Sequence, residues 1–175
     1  MKTKCLVLAV LLCSASAESA FADAATAPKP ESRVSVIFVE PQKFTDVKQS
    51  SLGDNSPELL DQIQKFMCKT GETYVPTGMR LAVKVTDINL AGKFEPWRGP
   101  QFDEVRILRS SYPPCFKLEF RLTDGKGNVV KEGTRTITDL TFQMRTAWPP
   151  DDPLRYEKDI LRDWFSQEFG GARRS

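Results

Sequence analysis

Residues 116 to 123 alternate strictly. Phe116, Leu118, Phe120 and Leu122 are apolar, whereas Lys117, Glu119, Arg121 and Thr123 are polar. In a strand, successive side chains point to opposite faces, so this segment predicts a sheet with one buried and one wet face. The DGKGN that follows predicts a hairpin turn, and residues 129 to 138, rich in β-branched side chains, predict the return strand with Gly133 as a bulge. Residues 80 to 86 alternate too, with Leu81, Val83 and Val85 on one side. Ile88 and Leu90 then continue the apolar series on even numbers, so a bulge near Thr86-Asp87 is needed to keep all five in the core. VSVIFV (residues 34–39) is apolar on both alternating sets and predicts a central strand, and EVRILR (104–109) a shorter one.

Two segments follow the helical period instead. Leu59, Leu60, Ile63, Phe66 and Met67 recur at spacings of three and four behind Ser56-Pro57-Glu58, a strong helix start, and Gly71 is the expected stop. Asp152-Pro153 opens the second helix, whose stripe is Leu154, Ile160, Leu161, Trp164, Phe165 and Phe169. The predicted order is β-α-β-β-β-β-α. A sheet with one wet face carries both helices on the other, so the expected class is α+β: a two-layer sandwich with a mainly antiparallel sheet of four to five strands.

The first residues obey another pattern. Lys2 and Lys4 precede the apolar run of residues 5 to 13, and small residues follow, including Ala15-Ser16-Ala17 and Ala20-Phe21-Ala22. That order predicts a secretory signal peptide over residues 1–22. The run is too short for a membrane span, which needs about twenty apolar residues. Leu12 before Cys13 disfavours a lipoprotein. A flexible spacer over 23–32, a single domain over 33–169 and a disordered tail over 170–175 complete the expected organisation. The expected location is the periplasm.

Removing the leader changes the cysteine arithmetic. Cys5 and Cys13 go with it, leaving Cys68 and Cys115, and two cysteines in an exported chain predict one disulfide. Charge is nearly balanced: +2 for the full chain, which gives no general attraction for nucleic acid. Histidine is absent, which excludes Ser-His-Asp and Cys-His nucleophilic sites and imidazole-bound zinc or haem. Nothing in the sequence points to a metal or cofactor.

Carboxylates are the acid–base groups that remain. Asp87, Glu95, Asp103, Glu104, Asp139, Asp151 and Asp152 fall at predicted strand ends or loops, where a paired-carboxylate hydrolase keeps its residues. Asp151 and Asp152 are better explained as helix caps. Lys117, Glu119, Arg121, Lys131, Glu132 and Arg135 predict a charged outer face of the sheet. The loop AGKFEPWRGPQFDE (91–104) carries Phe94, Trp97, Arg98 and Phe102, and Trp148 precedes the last helix. Aromatics with an arginine on a long loop suit a partner contact. The same side chains equally suit a cover for a sheet edge.

VSVIFVEPQKFTDV, VTDINLAGKFEP, LTDGKGNVVKEG and DPLRYEKDILRDWF together resemble an uncharacterised proteobacterial family, the domain of unknown function numbered 3016. The resemblance covers about residues 33 to 169. It implies a small exported protein of Gram-negative bacteria and brings no established activity and no catalytic residue. The expected function is therefore a non-enzymatic binding or accessory protein of the cell envelope, with another envelope protein or a cell-wall or lipid component as partner. A carboxylate-dependent hydrolase of an envelope polymer and a protein that self-associates through an open sheet edge are the alternatives.

Overall fold

A computed structural model describes residues 32–46, 56–102, 105–146 and 149–170. In chain order the elements are β1 (Val34–Phe38), α1 (Ser56–Tyr74), β2 (Arg80–Asn89), β3 (Lys93–Phe94), β4 (Arg106–Ile107), β5 (Cys115–Thr123), β6 (Val129–Thr138) and α2 (Arg155–Phe169). The main sheet has the order β1-β2-β5-β6. Its strands run antiparallel, apart from β1, which lies parallel to β2 with Val36 opposite Val83. Strands β3 and β4 form a separate two-stranded sheet. The α+β class with two helices is as expected. The predicted strand at 104–109 contributes only Arg106–Ile107, paired to a β3 that the sequence pattern does not mark.

One face of the sheet is buried because the pleat delivers it. Leu81, Val83, Val85 and Ile88 of β2 and Phe116, Leu118, Phe120 and Leu122 of β5 all lie in the core with Ile63 and Met67 of α1 and Leu161, Trp164, Phe165 and Phe169 of α2. The bulge between Val85 and Asp87 rescues the phase, and Ile88 is fully buried as a result. Edge-to-face rings knit β5 to α2: Phe120 lies 5.9 Å from Trp164 and 5.6 Å from Phe169, centroid to centroid.

Several expectations change. Strand β1 is an edge, not a central strand, and Ile37 on its outer face is exposed. Its free edge is instead covered by α1. Gln64 donates from Nε2 to the Val36 carbonyl at 2.7 Å. Two turns on, Glu72 accepts from the Arg33 amide at 2.7 Å, from Arg33 Nε at 2.8 Å and from Ser32 Oγ at 2.8 Å. A helix along a strand edge blocks pairing with another chain. Arg33 also donates to the carbonyls of Glu72 and Val75, so it caps the end of α1.

Gly71 is accordingly not a stop. It sits inside α1, where a Cβ would lie 2.9 Å from Val34 Cγ2 and 3.1 Å from Phe165 Cε1. Gly133 is not a bulge either, since it pairs in register with Phe120; the register shifts nearer the turn, where Leu122 faces Lys131 and Thr123 faces Val129. Lys131 and Arg135 leave the predicted outer face as well. They stand opposite Leu122 and Leu118, on the helix side, and both pair with Glu168 of α2.

The predicted disulfide is not formed: Cys68 and Cys115 are free thiols. Cys68 packs against the core from α1, beside the Val36 backbone. Cys115 precedes core-facing Phe116, so the pleat turns it to the opposite face, toward Lys117 and Asp87. It pairs with Asn89, six residues along β2 from Val83, which is roughly 20 Å at strand rise. A bridge needs Cα atoms within about 7 Å. Export arithmetic counted the thiols but carried no information on which face each would occupy.

The leader (1–22), residues 23–31, the tail 171–175, Asp103, Glu104, Trp148 and the side chains of Ser56 and Phe102 lie outside the described residues. No described helix is long and apolar enough to cross a membrane.

Gly71→Ala weighs two opposed effects: a helix-propensity gain of about 1 kcal/mol against overpacking of roughly 1–3 kcal/mol. The contact is with a buried β-branched side chain that has little room to give, so the net expectation is destabilisation, read as a lower urea midpoint; a raised midpoint contradicts the close approach.

Candidate functional site: a pinned aromatic loop

The long connection between β2 and β5 is strapped down at both ends. Asn89 Nδ2 donates to the Pro113 carbonyl at 3.3 Å, and the Gly92 amide to the Tyr112 carbonyl at 3.0 Å. Gly92 has φ 80°, and a Cβ there would lie 2.7 Å from the Ile107 carbonyl oxygen, so two backbones cross where no other residue fits. Beyond β3, two 3-10 turns at Pro96–Arg98 and Pro100–Phe102 carry the loop outward before β4 brings it back.

Glu95 lies beneath the first of these turns with 1% of its surface exposed. Its Oε2 pairs with Arg109 Nη2 at 3.2 Å and with Arg98 Nε at 3.3 Å, while its Oε1 accepts from Tyr112 Oη at 3.1 Å. That hydrogen bond, more than burial, pushes the Tyr112 phenol up. A buried carboxylate is tolerated when its lone pairs are met by donors, some of opposite charge, and here two arginines and a tyrosine from 98 to 112 meet them. Lys93 lies over the Tyr112 ring at 5.7 Å, and the Arg106 guanidinium over the Phe94 ring at 5.2 Å.

A second buried cluster ties the loop to the domain. Arg106 Nε donates to the Ala91 carbonyl at 2.7 Å, and its Nη2 pairs with Asp46, whose Oδ2 also accepts from the Leu90 amide at 3.0 Å. Glu157, in the first turn of α2, accepts the Ala91 amide at 2.7 Å through Oε1, while its Oε2 has no partner. Burial pushes the Glu157 carboxyl up.

The predicted contact residues separate on this base. Trp97 stands 71% exposed at the apex of the first turn. Arg98 is partly exposed and engaged by Glu95, and Phe94 is half-buried under Arg106. Val105 and Leu108, both exposed, lie on the returning limb. Phe102 and Trp148 are not brought into this geometry, because their side chains are outside the described set. Sequence reasoning missed Asp46, Arg106, Arg109, Tyr112 and Glu157. A signal was present in the density of arginine and tyrosine over residues 106 to 112, but their common acceptor was not visible from spacing.

Of the carboxylates weighed for acid–base work, Asp87, Glu95, Asp139 and Asp152 have structural employment. In Asp87, Asp139 and Asp152 burial alone would raise the carboxyl pKa. Hydrogen bonds from Thr45 and Lys117, from Thr141 and Arg145, and from Lys158 and Leu154 respectively outweigh it and hold each low. A low pKa is the wrong direction for a general acid. Glu157 moves in the right direction but is shut away with 1% exposure. Among the described residues no three His, Cys, Asp or Glu side chains converge as metal ligands. Burial also pushes both thiols up, away from the reactive thiolate.

A family described as "Protein of unknown function (DUF3016)" has a model that matches residues 32–167. The chain belongs to that family. The match begins at Ser32, the residue whose hydroxyl starts the strap to Glu72, and ends within α2, so it takes in the whole sheet, the pinned loop and both buried clusters. Comparison with curated proteins and with solved structures returns no match.

Glu157 has a measurable signature. Its folded pKa lies above the unfolded value, so its contribution to stability is fully present below about pH 4.3 and is lost as pH rises through the folded pKa. Asp87, Asp139 and Asp152, with depressed folded pKa values, contribute stability that disappears in the other direction, below about pH 3.9. Glu157→Gln keeps an acceptor for the Ala91 amide and removes the titration. Urea unfolding between pH 5 and pH 8 is expected to show a shallower decline in stability for the variant than for the parent; parallel curves contradict the assignment.

Proposed function

We propose that the chain is a non-enzymatic binding or accessory protein of the Gram-negative cell envelope, exported by the leader over residues 1–22 and contacting an envelope protein through the Trp97 loop. The observation that carries this reading is an exposed tryptophan on a turn whose underside is fixed by Glu95. Large aromatics and arginine dominate binding energy when they are held in place beforehand, because less freedom is lost on association. Here Trp97 projects, Arg98 flanks it, and the backbone beneath is bonded from Glu95 to Gly99. A protein partner is favoured over a membrane, since one indole with Val105 and Leu108 offers little area for insertion and a net charge of +2 gives little general attraction for anionic lipid.

The test uses the full-length gene with a C-terminal tag, crosslinking in the envelope before capture, and mass spectrometry of the captured material. The expected result is a chain starting at Asp23, with one protein partner recovered at least tenfold less by Trp97→Ala, at unchanged thermal midpoint. Such a change at an exposed site stays within about 0.5 kcal/mol of parental stability. Recovery that is unaffected by Trp97→Ala removes the loop from the function; capture of glycan or lipid alone overturns the protein partner; an intact Met1 overturns export.

A further inference from the structure

The two edges of the sheet are treated differently. Strand β1 is sealed by α1, whereas among the described residues β6 pairs with β5 alone. Which backbone groups of β6 face outward follows from the neighbours. Thr86 Oγ1 of β2 donates to the Lys117 carbonyl at 3.2 Å, so that carbonyl faces β2; Thr138 Oγ1 donates to the Pro114 carbonyl at 3.0 Å, so that one faces β6. Alternation along β5 then gives the even-numbered groups to β6. In the register Phe116–Ile137 and Leu118–Arg135, the backbone N–H and C=O of Thr134, Thr136 and Thr138 point to the open side.

The first half of this edge is blunted. It has a register shift beside the turn and two inward cations, Lys131 and Arg135, ion-paired to Glu168. Both are ordinary protections against unwanted pairing. The second half, Thr136-Ile137-Thr138, has neither. It is β-branched and uncharged, and beside it runs a groove of about 290 Å³ between β6 and α2, walled by Ile160, Trp164 and Gln167. Trp164 is 5% exposed, and its indole N–H has no acceptor. Buried donors are rarely left orphaned, and each such group calls for a reason.

The charges around the groove already have partners: Arg135 with Glu168 at 2.9 Å, Arg145 with Asp139 at 2.6 Å, and Arg145 with Asp163. Asp139 Oδ2 meets Arg145 at 2.6 Å and no other donor among the described residues, so one of its lone pairs retains acceptor capacity. An anion or phosphate would have to break these pairs. A neutral peptide would not, for it brings a carbonyl for an N–H donor, an N–H for an acceptor, and a backbone in step with the strand. Leu140 and Met144, next in sequence to the lining residues Asp139 and Arg145, are exposed, Met144 by 88%, which offers an apolar seat for a side chain.

We propose that the Thr136–Thr138 edge and this groove take an extended, uncharged, proline-free segment of another protein as an added strand. A carbonyl of that segment accepts from Trp164 Nε1–H, and an apolar side chain rests on Leu140 and Met144. About five residues, roughly 17 Å, span the edge from Thr134 to Thr138. This surface is separate from Trp97, and the two can fail separately.

The probe is a phage-displayed library of random decapeptides, selected on the mature chain and followed by binding and amide-exchange measurements with the recovered synthetic peptides. Expected are peptides alternating apolar and polar residues, whose binding protects amides of β6 between residues 134 and 138 and survives Trp97→Ala. Thr136→Pro removes an outward N–H without touching the β5 ladder, and is expected to abolish binding with folding retained. Trp164→Phe, which keeps the ring and deletes the donor, is expected to weaken binding roughly fivefold to tenfold. Failure to recover peptides, binding that leaves β6 amides unprotected, equal binding by folded Thr136→Pro, or a dimer in light scattering that Thr136→Pro dissolves each overturns the proposal, the last by making a second copy the occupant.

Discussion

A carboxylate with 1% exposure, Glu95, holds the longest loop of the domain in one shape. Without it, Arg98, Arg109 and Tyr112 would have no common acceptor, and the segment between β2 and β5 would be about two dozen residues joined to the domain at its ends and at Arg106. Burying a charge is costly and is offset only by complete pairing. The stability gained is therefore modest. What the arrangement supplies is a defined position for Trp97, whose exposure would otherwise be an unexplained expense of apolar surface in water.

The sheet supplies the base for that loop, and its one-sidedness governs the rest. Because α1 and α2 cover the same face, the opposite face is left with polar side chains, and Arg121 pairs there with Glu132 across β5 and β6. Both helices are also used beyond the core. Helix α1 reaches past the sheet to seal β1 with Gln64 and Glu72, and the first turn of α2 reaches the loop through Glu157. Neither helix covers the far end of β6. Among the described residues the sheet thus has a covered edge at β1 and an unpaired one at β6.

Short-period patterns in the sequence were reliable guides to this fold. Strict alternation in β5, the phase change in β2 and the three-four spacing of the helices each describe the face of its own element from which a side chain projects, which local sequence encodes. Partnership across the sheet is not local. VSVIFV looks central because it is apolar, yet the parallel crossover through α1 leaves β1 at an edge. Gly71 reads as a helix stop because glycine often ends helices, yet its missing side chain admits Val34 and Phe165. Cys68 and Cys115 were paired wrongly, since facing direction depends on the pleat. In the loop, Trp97 and Arg98 stood out in the sequence as candidates, while the acceptor organising Arg98 was one carboxylate among many until burial singled it out.

Amide hydrogen exchange on the parent and on Glu95→Ala tests the central claim most directly. If Glu95 fixes the loop, the bonded amides of Gly92, Arg98 and Tyr112 exchange slowly in the parent and lose protection in the variant, while the β2–β5 amides around Val83 and Phe120 stay protected in both. Fast exchange of those loop amides in the parent, or undiminished protection after the carboxylate is removed, contradicts it.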